Sequence, residues 1–197
     1  MKDLTIASQI IRPGESAEIN INIARLPSRT LIDTPIYVFR GLEDGPVLSL
    51  TAGMHGDEIN GMEIVRRILD NGYNKVKRGT VLCMPIINMY GFLNYSREVP
   101  DGKDINRSFP GSKGGSLASR VAWHVTHEII PAIDYGIDFH TGGCHANKLS
   151  ASAMCNGRSK KCRTGHGLSC TVYHRFTVSS AVTSSNCCET RKRDYRL

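Results

Sequence analysis

The chain has no run of about 18 apolar residues, so nothing in it reads as a transmembrane helix. Its opening residues, MKDLTIASQIIRPGES, lack the long apolar stretch and small-residue cleavage site of a secretory signal, which makes the cytoplasm the expected compartment. Without a secretory route a disulfide framework is not expected. No CxxC pair occurs, and the first 140 residues hold a single cysteine, Cys83. The other six are Cys144, Cys155, Cys162, Cys170, Cys187 and Cys188. The set Cys155, Cys162, His166, Cys170 and His174 matches the spacing of none of the common zinc modules. No internal repeat is visible.

Acidic residues are scarce at one end only. Residues 141–197 carry ten Lys and Arg against two acids, Glu189 and Asp194, and residues 1–140 carry fifteen against sixteen. The net charge of +7 therefore belongs to the tail. A basic tail suits nucleic acid, but this one has few aromatics and no recognisable binding module, so neither a nucleic acid nor a membrane is expected as partner.

The 197 residues suffice for one domain with a real core. Residues 16–26, SAEININIARL, alternate polar and apolar as a half-exposed strand does. TPIYVFRG reads as a second strand. LEDGPVLSLTAGM reads as a turn at Asp44-Gly45-Pro46 followed by a buried strand. Met62, Ile64, Val65, Ile68 and Leu69 recur at helical spacing from about Asn60, and that helix should end near Asn71-Gly72. GTVLCMPIIN is another buried strand, SLASRVAWHVTHEIIPAI one amphipathic helix, and YGIDFHTGG a short strand. Strands alternating with helices predict an α/β fold with a mostly parallel sheet between helices. After Gly143 the periodicity fails, and only TVYHRFTV could pass for a strand.

His55 and Glu58 follow the strand predicted at 47–52, where open α/β sheets bind ligands. Gly53 and Gly56 allow a tight backbone path there. Two such side chains can converge on one ion, and imidazole with carboxylate suits zinc. His140, at the carboxyl end of another predicted strand, is the best candidate for a third ligand. The residues taken singly also fit an ordinary polar turn and a buried, hydrogen-bonded histidine. Residues 94–111, NYSREVPDGKDINRSFPG, bring Arg97, Asn106 and Arg107 together, and arginine's planar fork suits a carboxylate. The same stretch also reads as a solvated loop. Asp57 and Asp138 could each support a ligand or stand apart from the site. His124, His127 and Glu128 form HVTHE, the wrong order for a metalloprotease helix and suited to an i, i+4 surface pair.

Together the motifs HGDE, SREVPDGKDINRSFPG and DFHTGG, in that order, resemble the succinylglutamate desuccinylase/aspartoacylase branch of the zinc carboxypeptidase superfamily. The resemblance covers roughly residues 20–143. It implies a zinc-carboxypeptidase-like α/β fold with a mixed, mainly parallel sheet flanked by helices. It also implies one Zn2+ ion held by His55, Glu58 and His140. Arg97 matches the arginine that polarises the scissile carbonyl, and Asn106 and Arg107 match the pair that grips the substrate carboxylate. The implied activity is hydrolysis of an amide in a small N-acylated substrate bearing a carboxylate, by metal-activated water.

The family mechanism also requires a glutamate as general base, well downstream of the third metal ligand. The carboxylates after His140 are Glu189 and Asp194, in CCETRKRDYRL, which does not resemble the family's motif, so the general base stays unassigned. An Asn-Pro-Gln type of sequence expected soon after HTGG is missing as well. The expected organisation is the N-terminal portion of a catalytic domain at 1–143, incomplete at its C-terminal end. An atypical Cys/Ser/Arg-rich tail at 144–197 then has the character of a truncated or out-of-frame, non-native or disordered continuation. Two alternatives stay open, a zinc carboxypeptidase acting on short peptides and a metal-binding protein without catalysis. Oligomeric state is not legible.

Overall fold

The computed structural model describes residues 3–141, 149–156 and 169–173, the last two stretches as backbone strands. A small antiparallel hairpin, β1 (Leu4–Ile6) and β2 (Gln9–Ile11), precedes the main sheet. Its turn residues Ala7 and Ser8 both have positive φ, 46° and 66°, without a glycine or asparagine to announce it. The hairpin buries Ile6 and Ile11 in the core.

The main sheet comprises β3 (Ser16–Arg25), β4 (Leu31–Arg40), β5 (Glu43–Ala52), β6 (Arg78–Met84), β7 (Tyr135–Thr141), β8 (Leu149–Asn156) and β9 (Ser169–Tyr173), in the order β3-β4-β6-β5-β7-β8-β9. It is mixed. β5 pairs in parallel with both β6 and β7, and β8 with β9; the β3–β4, β4–β6 and β7–β8 pairs are antiparallel. The parallel centre thus holds the two strand ends on which the motifs converge. Asp44-Gly45-Pro46, read as a turn, lies inside β5, where the pairing with β6 shifts register between Glu43 and Val47.

β6 is buried on both faces along nearly its whole length. Val81 and Cys83 face the cluster under α1 (Ile59–Asp70), with Leu50, Ala52, Met62 and Val65. Leu82 and Met84 face the cluster under α3 (Leu117–His124), with Ile36, Val38, Ala118, Val121 and Ala122. Each fully buried Leu or Val side chain contributes roughly 1.5–3 kcal/mol by leaving water. The outer face of α1 carries Glu63, Arg66, Arg67 and Asp70 in exposed ion pairs, which keep it solvated and add little stability.

The helix expected over SLASRVAWHVTHEIIPAI is not continuous. α3 ends at His124, a π-turn spans Val125–Ile129, and a 3-10 turn covers Ile130–Ala132. Pro131 lacks the N–H that would continue the ladder, and the chain changes pitch ahead of it. A short helix, α2 (Met89–Asn94), was not predicted; Asn88 caps it by accepting from Gly91 N at 2.8 Å. No helix among the described residues is long and apolar enough to cross a membrane.

Candidate metal centre

β5 and β7 run side by side in parallel, with Ala52 opposite Phe139. The segment leaving β5 and the end of β7 therefore meet at one rim. Gly53 there takes φ +65°. In β7, Asp138 and His140 share a face by strand alternation, and Phe139 points the other way, into the cluster under α1. α1 can lie close to β7 because residue 61 has no side chain: a Cβ there would stand 2.8 Å from the Phe139 carbonyl oxygen. That proximity carries Glu58, at the N-terminal cap of α1, to His140. Glu58 makes no capping bond with its side chain. Its carboxylate turns to the two histidines.

Glu58 Oε1 lies 2.7 Å from His55 Nδ1, and Oε2 lies 2.9 Å from His140 Nδ1. Oε2 also accepts from the backbone N of Thr141 at 2.9 Å. Each of the three residues offers a ligand atom within 4.8 Å of the others. His55 and Glu58 are buried, and His140 nearly so. Two imidazoles and a carboxylate form the donor set of many catalytic zinc sites, so the residues present fit one such ion.

The far nitrogen of each imidazole is held by a separate carboxylate. His140 Nε2 lies 2.7 Å from Asp138 Oδ2, whose other oxygen accepts from Thr51 Oγ1 at 2.9 Å. His55 Nε2 lies 3.2 Å from Asp104 Oδ1. Both rings therefore turn Nδ1 toward Glu58, the orientation that outer partners impose on ligating histidines. Asp138, open to either reading in the sequence, stands where such a partner would, 2.7 Å from His140 Nε2. Asp57 holds no comparable place: its buried Oδ1 has no hydrogen-bond partner among the described residues.

The electrostatics follow from this packing. Burial raises the Glu58 carboxyl, but hydrogen bonds from His140 and His55 and their charges outweigh it and hold the group at about 2. Burial lowers the His140 imidazole, but Asp138, then Glu58, outweigh it and push the group up to about 10. Asp104 is raised by burial, yet the charge of His55, the Asn106 amide and Arg97 bring it below its ordinary value.

Arg97 reaches the centre from the polar loop. Its Nε and Nη2 donate to Asp104 Oδ2 at 3.1 and 2.9 Å, and Nη1 lies 3.5 Å from Glu58 Oε1. The side chain stays 45% exposed, which leaves it accessible to a ligand. The backbone N of Asn106 donates to Asp104 Oδ1 at 2.8 Å, and its side-chain Oδ1 is buried with no hydrogen-bond partner among the described residues. Arg107 stands apart, 86% exposed, with Nε 3.8 Å from Asp104. Asp104, which touches His55, Arg97 and Asn106, was passed over in the sequence. The signal was its place two residues before Asn106, but a carboxylate among Lys103 and Arg107 reads as a solvated charge.

His124 and Glu128 form their expected local pair at 2.9 Å, and His127 stacks on Trp123. Neither contacts the centre. The side chains of Cys155, Cys162, His166, Cys170 and His174, and those of Glu189 and Asp194, lie outside the described residues.

Comparison with known proteins gives a consistent result. The succinylglutamate desuccinylase/aspartoacylase catalytic domain matches residues 44–172. The match runs past residue 143, as do β8 and β9. Over 101 residues the chain is 34% identical to the N-alpha-acetyl-L-2,4-diaminobutyric acid deacetylase of Halomonas elongata, covering 51% of this chain and 30% of that enzyme. It is similar to the solved structure of a succinylglutamate desuccinylase/aspartoacylase from Rhodobacter sphaeroides, with 31% identity and a TM-score of 0.60 over 70% of this chain and 44% of that one. A structure of an aspartoacylase family protein from Mesorhizobium loti gives 25% identity and a TM-score of 0.60, covering 72% of this chain and 45% of that one. The chain thus spans less than half the length of these relatives.

Proposed function

The chain belongs to the succinylglutamate desuccinylase/aspartoacylase family, and from that premise we propose that it is a zinc-dependent hydrolase that removes an acyl group from an N-acylated amino acid or related amine. The observation that carries this reading is the convergence of His55, Glu58 and His140, each with a ligand atom within 4.8 Å of the others. These three would hold one zinc ion. When bound, zinc supplies Lewis acidity toward a carbonyl and makes water acidic near neutral pH.

The rest of the work falls to the chain's own groups. Arg97, anchored by Asp104 and half exposed, has an N–H directed at the centre. It would donate to the carbonyl oxygen as negative charge develops. Arg107, free to reach into solvent, and Asn106, one residue before it, would grip the substrate carboxylate and so orient the amide. Asp138, on Nε2 of His140, keeps that imidazole's Nδ1 turned toward the centre.

The Halomonas elongata relative makes N-alpha-acetyl-L-2,4-diaminobutyrate the first substrate to try. Zinc-loaded chain is expected to release acetate from it, and Arg97→Ala to slow release by about 10²–10³, the usual cost of one donor to a developing oxyanion. Release no faster from wild type than from His55→Ala would contradict an enzymatic role.

A second reading, metal binding without turnover, has its own support. Between His140 and Leu197 the chain carries two carboxylates, Glu189 and Asp194, neither in the family's general-base motif. Bound zinc with no acetate released would favour it.

A further inference from the structure

We propose a second binding site, at the end of the sheet away from the metal centre, for a free amino acid that carries an additional amine. β6 lies between β4 and β5, and its Thr80 pairs with Arg40 on one side and Val47 on the other. Strand alternation sets these three on the face that the β1–β2 hairpin and α3 cover, where Val38 and Leu82 also point. A cavity of about 370 Å³ opens over this row, and Asp3 and Leu4, at the start of the hairpin, complete its wall. From Val47 to Ala52, where β5 ends at the metal rim, is roughly 16 Å along the strand. β5 bulges at the cavity, its register against β6 shifting between Glu43 and Val47. Gly79 takes φ +78° beneath the bulge, where a Cβ would stand 2.4 Å from the Pro46 carbonyl oxygen. Bulges re-aim a strand, and this one brings Asp44 and Gly45 to the cavity.

Two of the wall residues are polar and almost wholly buried. Arg40 is 7% exposed, and its Nη1 donates to the Ile11 carbonyl oxygen, which fixes the side chain between sheet and hairpin. Thr80 is 2% exposed, and its Oγ1 is buried with no hydrogen-bond partner among the described residues. A buried hydroxyl left that way is costly, and a ligand oxygen beside it would remove the penalty. Asp3 and Asp44 are exposed and stand at the mouth. The charges select the ligand. A guanidinium and a hydroxyl at the buried end suit a carboxylate. One arginine against two aspartates leaves the walls at a formal −1, which disfavours a simple anion and suits ammonium groups at the mouth. An amino acid with a second amine has one carboxylate and two ammonium groups, the complement of that set. L-2,4-Diaminobutyrate, the amine that the proposed deacetylation would release, is such a molecule, and only its role as product rests on that reading.

The test is calorimetric titration of the chelator-treated full chain with L-2,4-diaminobutyrate, so that no zinc takes part. Saturable binding is expected. Thr80→Val, which keeps the shape and removes the hydroxyl, should weaken it by roughly 10–100-fold, the usual effect of losing a hydrogen bond to a charged group. Asp44→Asn, at the exposed mouth, should weaken it by up to about fivefold. Arg107→Ala, in the loop beside the metal centre, should change it by less than about twofold, as a distant site does. 1,3-Diaminopropane, which lacks the carboxylate, should bind at least about tenfold more weakly. No binding by wild type, or binding that Arg107→Ala abolishes and Thr80→Val leaves intact, overturns the site. Equal binding of 1,3-diaminopropane overturns the placing of a carboxylate at Arg40 and Thr80. Zinc-loaded chain that releases no acetate while the titration holds would refute the deacylase reading and leave this site standing.

Discussion

His140 is the residue at which protonation and metal binding must compete. Asp138 and Glu58 push its pKa up to about 10, so at neutral pH the ring carries a proton that an ion at Nδ1 has to displace. Zinc affinity should therefore rise with pH by about tenfold per unit between roughly pH 7 and pH 9, with about one proton released per ion. Calorimetric titration in buffers of different ionisation enthalpy reads that proton, and a flat affinity with no release would contradict the assignment. The sign for stability is the reverse. In chelator-treated chain the His140 pairing contributes fully below the unfolded pKa, about 6.5, and its contribution is lost as pH rises through about 10. His55, Glu58 and His140 were legible in the sequence because each sits at a motif beside a predicted strand end. Asp104 was not, because its value lies in contacts 49 and 7 residues away, to His55 and Arg97, that no local pattern encodes.

Among the elements, α1 is the one whose placement decides the site. Gly61 lets it approach β7, and a Cβ at 61 would meet the Phe139 carbonyl oxygen at 2.8 Å and its Cβ at 2.9 Å. Gly61→Val should push the helix off the strand and cost about 1–3 kcal/mol by overpacking. Helix propensity opposes this by less than about 1 kcal/mol, so destabilisation wins. Urea unfolding should show a lower midpoint with an unchanged slope, and an unchanged or higher midpoint would refute the packing argument. The alternation of β3, the apolar runs of β6 and of the second half of β5, and the helical spacing in α1 made them readable. The β1–β2 turn lacked its customary glycine, and α2 was too short to show a period. Pro131 changed the pitch of a helix whose apolar stripe ran on regardless. In those three places local geometry departed from the residue pattern that normally reports it.

At the scale of the whole molecule, the parallel centre of a mixed sheet brings residues 55, 58 and 140 to one rim. Net positive charge and cysteine concentrate beyond residue 140. The family match extends to residue 172, and β8 and β9 continue the sheet, although the side-chain periodicity had already failed at 144. Backbone pairing can continue where side-chain patterning does not, which is why the sequence placed a boundary near 143. The proposed hydrolysis depends first on a bound ion. Elemental analysis of purified wild type beside His55→Ala tests that most directly. About one zinc per wild-type chain and almost none in the variant is the predicted result; equal zinc in the two would contradict it.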